Sequence, residues 1–304
     1  MVELHGDAGV AWLEGLPRLV GACERQWSLT AGAPFVNLSY NYVAPAVRAD
    51  GTPAILKIGF PNPELTTEIA ALALYDGRGC ARLLAVDPER GALLIERLVP
   101  GTPLAGSDDE AATRVAAGVM RRLWRPAPVG HAFPTVARWA QGLARLRGRF
   151  DGGSGPLPRS LVERAEGLFA DLLESMGEPV LLHGDLHHAN ILRAERETWL
   201  AIDPKGVVGE AEYDVGALLR NPLPWLLEQP DPAAVAARRV AVLADMLGFD
   251  PRRILGWGVA QAVLSAWWSI EDHGSGWEPA IRCAEIMHTL LKKAIHHKGH
   301  KEKD

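Results

Sequence analysis

The chain has 304 residues, which is enough for one large or two medium domains. Of these residues 48% are hydrophobic and 23% charged, so material for a core is ample. The chain has 32 lysine and arginine residues against 37 aspartate and glutamate residues, and a formal net charge of −5 argues against a dedicated nucleic-acid binder. The three cysteines lie far apart without a CxxC pair, which excludes a disulfide framework and a zinc ribbon and is typical of a reducing compartment. No membrane span or secretory leader is evident, so we expect a cytoplasmic protein that binds neither membrane nor nucleic acid.

The first hundred residues predict a small antiparallel α+β lobe. In chain order, the expected elements are strands over 38–47 and 53–58, a helix over 64–75, and strands over 82–86 and 92–97. Asp50-Gly51 between the first two strands strongly favours a hairpin turn. The order strand, strand, helix, strand, strand differs from a repeating βαβ unit and therefore indicates an antiparallel sheet.

The remainder of the chain predicts a mostly helical lobe. The expected helices cover residues 107 to about 124, 136–147, 159–176, 232–247, 251–270 and 278–296. We expect an N-terminal lobe over 1–97, a hinge over 98–101, a C-terminal lobe over 102–295 and a polar tail over 296–304.

Polar residues concentrate in one short β-rich interruption of the helical lobe. Residues 183–190 read HGDLHHAN, and a predicted strand pair then ends at Asp203. Transfer of a phosphoryl group to a hydroxyl needs a carboxylate that orients the hydroxyl, a lysine on the phosphates and Mg²⁺. Mg²⁺ prefers hard oxygen ligands and takes only one or two of them from protein. Asp185, Asn190 and Asp203 are residues of the required types, so this segment is a candidate phosphoryl-transfer site.

The HGDLHHAN segment resembles the HGDxHxxN catalytic loop of aminoglycoside phosphotransferases and related small-molecule kinases, and residues 202–206 resemble their metal loop. The resemblance implies an α+β, two-lobed, protein-kinase-like fold. Its small N-terminal antiparallel β lobe would carry one main helix, and its larger C-terminal lobe would be mostly α-helical. The implied roles are catalytic base for Asp185, Mg²⁺ ligands for Asn190 and Asp203, and structural support of the loop for His183, His187 and Asp214.

The resemblance extends to the strand over 53–58. Lys57 looks like the kinase lysine that pairs with the α- and β-phosphates of the nucleotide. Glu68, on the next helix, is its expected partner. Glu64 is the alternative, although a glutamate in the first turn of a helix also interacts favourably with the helix dipole.

Further nucleotide contacts are implied on either side of this pair. Residues 93–101 resemble the strand and hinge whose backbone binds adenine, which assigns Glu96 and Leu98 to the nucleotide site. No GxGxxG motif precedes the lysine; residues 37–42 occupy the place of the glycine-rich loop, with Ser39 as the candidate phosphate contact. The implied cofactors are ATP, or GTP, and Mg²⁺.

One branch of the family shows the closest resemblance, the streptomycin 6-phosphotransferases, often grouped as aminoglycoside/hydroxyurea resistance kinases. The segments that carry it are 56–59, 93–97, 181–192 and 265–272. The implied reaction converts ATP and streptomycin into ADP and streptomycin 6-phosphate and confers resistance. Streptomycin carries two guanidinium groups, for which carboxylates are bidentate partners, so Glu271 and Asp272 are the candidate acceptor contacts.

Three alternatives stay open from sequence. One is a metabolic kinase of the same fold with a sugar, choline-like or ketosamine acceptor, another is a macrolide or other antibiotic kinase, and the third is a catalytically inactive binding relative. The intact set of Lys57, Asp185, Asn190 and Asp203 argues against the inactive relative. The expected partner is a small cationic acceptor, and the chain is expected to be a monomer or a weak homodimer.

Overall fold

The computed structural model of the chain describes residues 2–36 and 40–301, and it divides into two compact units. Unit 1 consists of Met1–Thr102 and Leu192–Lys205, and unit 2 consists of Pro103–Ile191 and Gly206–Asp304. The first unit is an α+β structure around an antiparallel sheet, and the second is mostly helical, as the sequence predicts.

Unit 1 is built on a five-stranded antiparallel sheet. Its strands are β1 (Leu29–Ala31), β2 (Asn41–Arg48), β3 (Pro53–Gly59), β4 (Leu83–Asp87) and β5 (Ala92–Glu96), in the spatial order β1-β2-β3-β5-β4. The predicted Asp50-Gly51 turn joins β2 to β3. Gly51 has a φ of +83°, a left-handed conformation that glycine adopts without strain.

Two helices flank this sheet in the described part of unit 1, α1 (Val2–Trp27) and α2 (Pro63–Tyr75). Helix α1 was not among the helices predicted from sequence, and its backbone is kinked at Gly6, where φ is +54°. The side chain of Asn62 caps α2 by accepting a hydrogen bond of 2.9 Å from the backbone N–H of Leu65. This cap sets where α2 begins.

Strand β3 lies in the middle of the sheet, and its side chains alternate between the two faces. Leu56 and Ile58 are fully buried in a hydrophobic cluster that includes Cys23 of α1. Lys57 lies between them in sequence and therefore on the opposite face, where it contacts Glu68 of α2. Because side chains alternate along β3, the hydrophobic core of unit 1 and the charged site lie on opposite faces of the sheet.

The remaining strands of the described chain are β6 (Pro100–Pro103), β7 (Val180–Leu182), β8 (Ile191–Ala194), β9 (Trp199–Ala201) and β10 (Val207–Gly209). β6, β8 and β9 form a three-stranded sheet in that order, and β7 pairs antiparallel with β10. Strand β6 begins inside the predicted hinge. Strand β10 was not predicted, because a strand of three residues is too short to show an alternation of apolar and polar side chains.

The segment 192–205 belongs to unit 1, although the sequence-based boundaries place it in the C-terminal lobe. Arg196 explains the difference. Its guanidinium donates to both carboxylate oxygens of Glu96 at 2.9 Å, and to the carbonyls of Gly77 at 2.8 Å and Cys80 at 3.0 Å. A contact between residues a hundred positions apart attaches the strand pair to unit 1, and no local pattern predicts it.

Unit 2 contains α3 (Asp109–Leu123), α4 (Val136–Arg149), α5 (Arg159–Glu174), α6 (Val215–Arg220), α7 (Pro232–Leu247), α8 (Pro251–His273) and α9 (Glu278–Lys301). Helix α8 is buried along most of its length, which explains why its sequence is apolar on all sides. The six-residue α6 was not predicted because it is shorter than two helical turns. Helix α9 extends five residues beyond its predicted end, into the predicted tail.

Within residues 2–36 and 40–301, no helix combines the length and the apolar character that crossing a bilayer requires. All three cysteines are buried.

Candidate active site

The first group of predicted site residues meets within unit 1. The side chain of Lys57 is buried, and its Nζ lies 2.6 Å from Oε1 of Glu68 and 3.2 Å from Oδ1 of Asp203. Glu68 is buried as well, whereas the Asp203 side chain is 49% exposed. Glu68, rather than Glu64, is therefore the partner of Lys57 on α2.

The charge of Lys57 is held by these two carboxylates. Burial disfavours the ammonium form, but the attraction of Asp203 and Glu68 outweighs it, and the pKa of Lys57 is held above its ordinary value. The lysine is thus charged at neutral pH. A buried cation in a fixed position can stabilise phosphate oxygens without the cost of ordering a mobile side chain.

The loop after β9 presents Asp203 in an unusual conformation that neighbouring contacts hold. Asp203 has a φ of +57°, a left-handed conformation that costs a residue with a Cβ about 1–3 kcal/mol. Oγ1 of Thr67 on α2 donates to the carbonyl of Lys205 at 2.7 Å, and Nζ of Lys205 lies 3.0 Å from Oε1 of Glu64. Glu64, the alternative partner of Lys57 from sequence, therefore attaches this loop to α2 instead.

The second group lies in unit 2, in the loop that follows β7. Asp214 is fully buried and accepts hydrogen bonds from the backbone N–H groups of His183 at 3.1 Å and Gly184 at 2.8 Å. It also accepts from Nε1 of Trp124 at 3.1 Å. Nδ1 of the buried His183 accepts from the backbone N–H of Asp185 at 3.2 Å. These bonds hold the start of the loop from which Asp185 projects.

We expect Asp214→Ala to lower the free energy of unfolding by about 3 kcal/mol, because three donors in a buried environment lose their acceptor. The shift of the urea unfolding transition, followed by tryptophan fluorescence, measures the effect. Asp231→Asn is the control, since Asp231 is an exposed cap of α7 and asparagine caps a helix equally well. Equal urea midpoints for Asp214→Ala and the wild type would contradict the structural role.

The side chain of Asp185 is 29% exposed and has contacts on both carboxylate oxygens. Nη2 of Arg220 lies 3.4 Å from Oδ1, and Nε2 of His187 lies 3.7 Å from Oδ2. Nδ2 of Asn190 donates to the backbone carbonyl of Asp185 at 3.0 Å, and Nδ1 of His187 accepts from the N–H of Ala189 at 3.2 Å. The carboxylate is thus oriented yet accessible, as a group that accepts a proton from a hydroxyl must be.

The predicted metal ligands suit Mg²⁺ by their chemistry. The amide nitrogen of Asn190 is engaged by the Asp185 carbonyl, which leaves the amide oxygen as the ligand atom. The half-exposed carboxylate of Asp203 is accessible to a cation. Both supply hard oxygen ligands, and Mg²⁺ commonly takes only one or two such groups from protein and the rest from water and phosphate. The two residues therefore fit this metal.

Arg220 and Gln261 are site residues that the sequence did not reveal. Nη1 of Arg220, at the end of α6, donates to Oε1 of Gln261 at 2.7 Å, and the same guanidinium contacts Asp185. Gln261 lies in the middle of α8, 41 positions from Arg220. Neither residue belongs to a motif, and α6 itself was not predicted. Only the tertiary contact identifies them.

The predicted nucleotide contacts at the end of β5 have been placed, but their role stays a prediction. The Glu96 carboxylate accepts from Arg196 and from the backbone N–H of Arg82 at 3.0 Å, so its side chain stabilises unit 1. Leu98, just beyond β5, is buried. Ser39 lies outside the described residues.

The role of the predicted acceptor contacts, Glu271 and Asp272, stays a prediction. Both lie near the C-terminal end of α8, and Glu271 already accepts a bidentate pair from Arg145 at 2.7 and 2.9 Å. Gln261, which Arg220 connects to Asp185, lies on the same helix ten positions before Glu271. At a rise of about 1.5 Å per residue, the two positions are about 15 Å apart along the helix.

Comparison with known proteins confirms the family that the catalytic-loop motif predicts. The model of the aminoglycoside/hydroxyurea antibiotic resistance kinase family matches residues 26–273. A streptomycin 6-kinase of Streptomyces glaucescens is 36% identical over 287 residues, which cover 90% of this chain and 90% of the relative. A hydroxyurea phosphotransferase of Kitasatospora aureofaciens is 35% identical over 274 residues, covering 88% of this chain and 77% of the relative.

Among solved structures, aminoglycoside phosphotransferase APH(4)-Ia superposes with a TM-score of 0.63 at 12% identity, covering 93% of this chain and 98% of the other. At this identity the likeness establishes the fold. It is the protein-kinase-like fold of the aminoglycoside phosphotransferases, as the catalytic-loop motif predicts.

Proposed function

Because the chain belongs to the aminoglycoside/hydroxyurea antibiotic resistance kinases, an ATP-dependent phosphotransferase family, we propose that it phosphorylates streptomycin at the 6-hydroxyl. The observation that carries the choice of acceptor is the similarity to streptomycin 6-kinases along nearly the whole chain. The nucleotide is ATP, and phosphorylation of the antibiotic would confer resistance.

In unit 1, Lys57 would bind the phosphates of the nucleotide. Glu68 and Asp203 hold its Nζ in place and maintain its charge. Asp203 is a proposed ligand of Mg²⁺, as is Asn190 in the loop of Asp185, and the ion when bound would neutralise negative charge on the phosphates. Since little covalent chemistry is required of the protein in phosphoryl transfer, fixed charges of this kind account for much of the catalysis.

In unit 2, Asp185 would orient the acceptor hydroxyl and accept its proton. The acceptor oxygen bonds to the γ-phosphorus, the bond from that phosphorus to the bridging oxygen breaks, and ADP leaves with the electron pair. The proton of the hydroxyl passes to a carboxylate oxygen of Asp185. Asn190 and Asp214 hold the loop, so that the carboxylate is in position before the acceptor binds.

Hydroxyurea is the second candidate acceptor, because a hydroxyurea phosphotransferase is nearly as similar to this chain as the streptomycin kinases are. Hydroxyurea also offers a hydroxyl group, but it carries no cationic group that would need a carboxylate partner. Of the two acceptors, only streptomycin therefore requires a negatively charged acceptor site.

The deciding experiment is an ADP-release assay with purified protein, Mg-ATP, and either streptomycin, hydroxyurea, choline or no acceptor. We expect streptomycin to stimulate ADP release and the product to show phosphorus coupled to the proton at position 6 in NMR spectra. Stimulation by hydroxyurea or choline, but not by streptomycin, would reject the proposed acceptor. No stimulation by any acceptor, with purified protein that binds Mg-ATP, would favour the inactive binding relative.

We expect Glu271→Gln to leave the KM for streptomycin within about twofold of the wild-type value. The Glu271 carboxylate is already paired with Arg145, so removal of its charge breaks a partly exposed ion pair rather than an acceptor contact. Steady-state kinetics at saturating ATP provide the measurement. A KM increase of more than about tenfold would identify Glu271 as an acceptor contact.

A further inference from the structure

Arg220 bridges the loop of Asp185 to the buried helix α8. Its Nη2 lies 3.4 Å from Oδ1 of Asp185, and its Nη1 donates to Oε1 of Gln261 at 2.7 Å. The side chain of Arg220 is only 11% exposed, and Gln261 is fully buried. A guanidinium has planar, forked donors and no acceptor, so its two ends can hold two oxygen atoms at a fixed separation.

The position of Gln261 is itself constrained by packing. A Cβ atom on Gly216 of α6 would lie 2.3 Å from Oε1 of Gln261, so the glycine provides the space that the amide occupies. The surrounding residues of α8 are buried as well. Gln261 is therefore a rigid acceptor in the core of unit 2, and it fixes the guanidinium of Arg220.

The two oxygens of Asp185 consequently have different neighbours. Oδ1 lies beside Arg220, and Oδ2 lies beside His187 at 3.7 Å. A carboxylate held on one oxygen by a rigid cation loses much of its rotational freedom. Because a hydroxyl must lie within hydrogen-bond reach of its base, such orientation lowers the barrier to transfer rather than strengthening substrate binding.

We propose that Arg220 is a positioning residue for the phosphoryl-transfer reaction and that Gln261 acts through it. Arg220 orients the carboxylate of Asp185 and reduces its repulsion of the phosphate charges, while Gln261 holds the guanidinium. This inference rests on the proposed function, since it requires Asp185 to be the catalytic base. It predicts an effect on kcat rather than on the KM of either substrate.

The test compares the wild type with Arg220→Ala and Arg220→Lys in steady-state kinetics, using whichever acceptor the wild type phosphorylates. We expect kcat to fall about 100-fold in Arg220→Ala, with both KM values within about threefold. Added methylguanidine should raise the kcat of Arg220→Ala about tenfold, and it should leave the wild type unchanged. Arg220→Lys should stay impaired, because a single ammonium group cannot bridge Asp185 and Gln261 as the forked guanidinium does.

Arg253→Lys is the matched control. Arg253 lies on the same helix as Gln261 and forms a bidentate ion pair with buried Glu210 at 2.6 Å, remote from the reaction in the proposed mechanism. Its kcat should stay within about threefold of the wild-type value even if its melting temperature falls. An equal loss of kcat in Arg253→Lys and Arg220→Ala would overturn the proposal in favour of a general packing effect.

Gln261→Glu decides the question if Arg220→Ala does not fold. The new carboxylate keeps a partner for the guanidinium but competes with Asp185 for it, so kcat should fall about tenfold in a folded protein. An unchanged kcat in Gln261→Glu or in a folded Arg220→Ala would overturn the positioning role while the kinase activity stands. A wild type that phosphorylates no acceptor would instead reject the proposed function.

Discussion

Replacement of Asp185 by alanine is expected to lower kcat for phosphoryl transfer by about 1,000-fold, while the Kd for Mg-ATP changes by less than about threefold. In the structure, the Asp185 carboxylate is partly exposed, and His187 and Arg220 are its neighbours in unit 2. Its removal takes away the group proposed to orient the acceptor hydroxyl, whereas the ion pairs of Lys57 are formed by residues of unit 1. Single-turnover kinetics measure the transfer step, and titration calorimetry measures nucleotide binding.

Asp185→Asn is the companion variant, because the amide keeps the size of the side chain but cannot accept the proton as a carboxylate does. We expect it to be nearly as slow as the alanine variant. Loss of Mg-ATP binding in either variant, with transfer preserved at saturating nucleotide, would contradict the assignment of Asp185 as the base.

Replacement of Asp203 by alanine is expected to weaken Mg-ATP binding about 30-fold, an effect of about 2 kcal/mol. Asp203 is a proposed Mg²⁺ ligand and one of the two carboxylates that hold Nζ of Lys57. Its loss removes an oxygen ligand and leaves Glu68 as the remaining partner that the structure shows for the lysine. Calorimetric titration with ATP, in the presence and absence of Mg²⁺, separates the metal contribution from the lysine contribution.

Glu64→Gln is the control for Asp203. It removes a carboxylate that contacts Lys205 in the same loop but does not touch Lys57. The Glu64 side chain is exposed, and a surface ion pair contributes little, so the Kd should change by less than about threefold. Equal Kd values for Asp203→Ala and the wild type, together with lost binding in Asp185→Ala, would reverse the two assignments.

Much of the fold could be predicted because its signals are local. The strands of unit 1 and the long helices of unit 2 lie close to their predicted positions, since alternation, helical spacing and capping residues act over a few positions. Elements of three to six residues, such as β10 and α6, were missed because they are too short to show a periodic pattern of hydrophobic residues. The place of segment 192–205 was also missed, because it depends on Arg196 reaching Glu96.

Some residues of the candidate site could likewise be predicted from local signals, and others could not. Asp185, Asn190 and Asp203 stand out because a specific motif and its spacing identify them, and Lys57 stands out as a lysine in an apolar strand. The choice between Glu68 and Glu64 needed coordinates, since both lie on one helix within about one turn of each other. The role of Glu271 and Asp272 as acceptor contacts stays a prediction, and the ion pair of Glu271 with Arg145 needed the structure because the two residues are 126 positions apart.

The sequence by itself determined the family, the chemistry of the reaction and the residues that carry a motif, because these depend on which residue types occur at which spacing. The net negative charge and the scattered cysteines argue against a nucleic-acid binder and a disulfide framework, but they identify no activity. Only the tertiary structure decided which carboxylate holds Lys57, which contact engages Glu271 and which guanidinium lies beside Asp185. Such contacts join residues that are distant in sequence, and their geometry is set by packing of whole helices and strands rather than by local pattern.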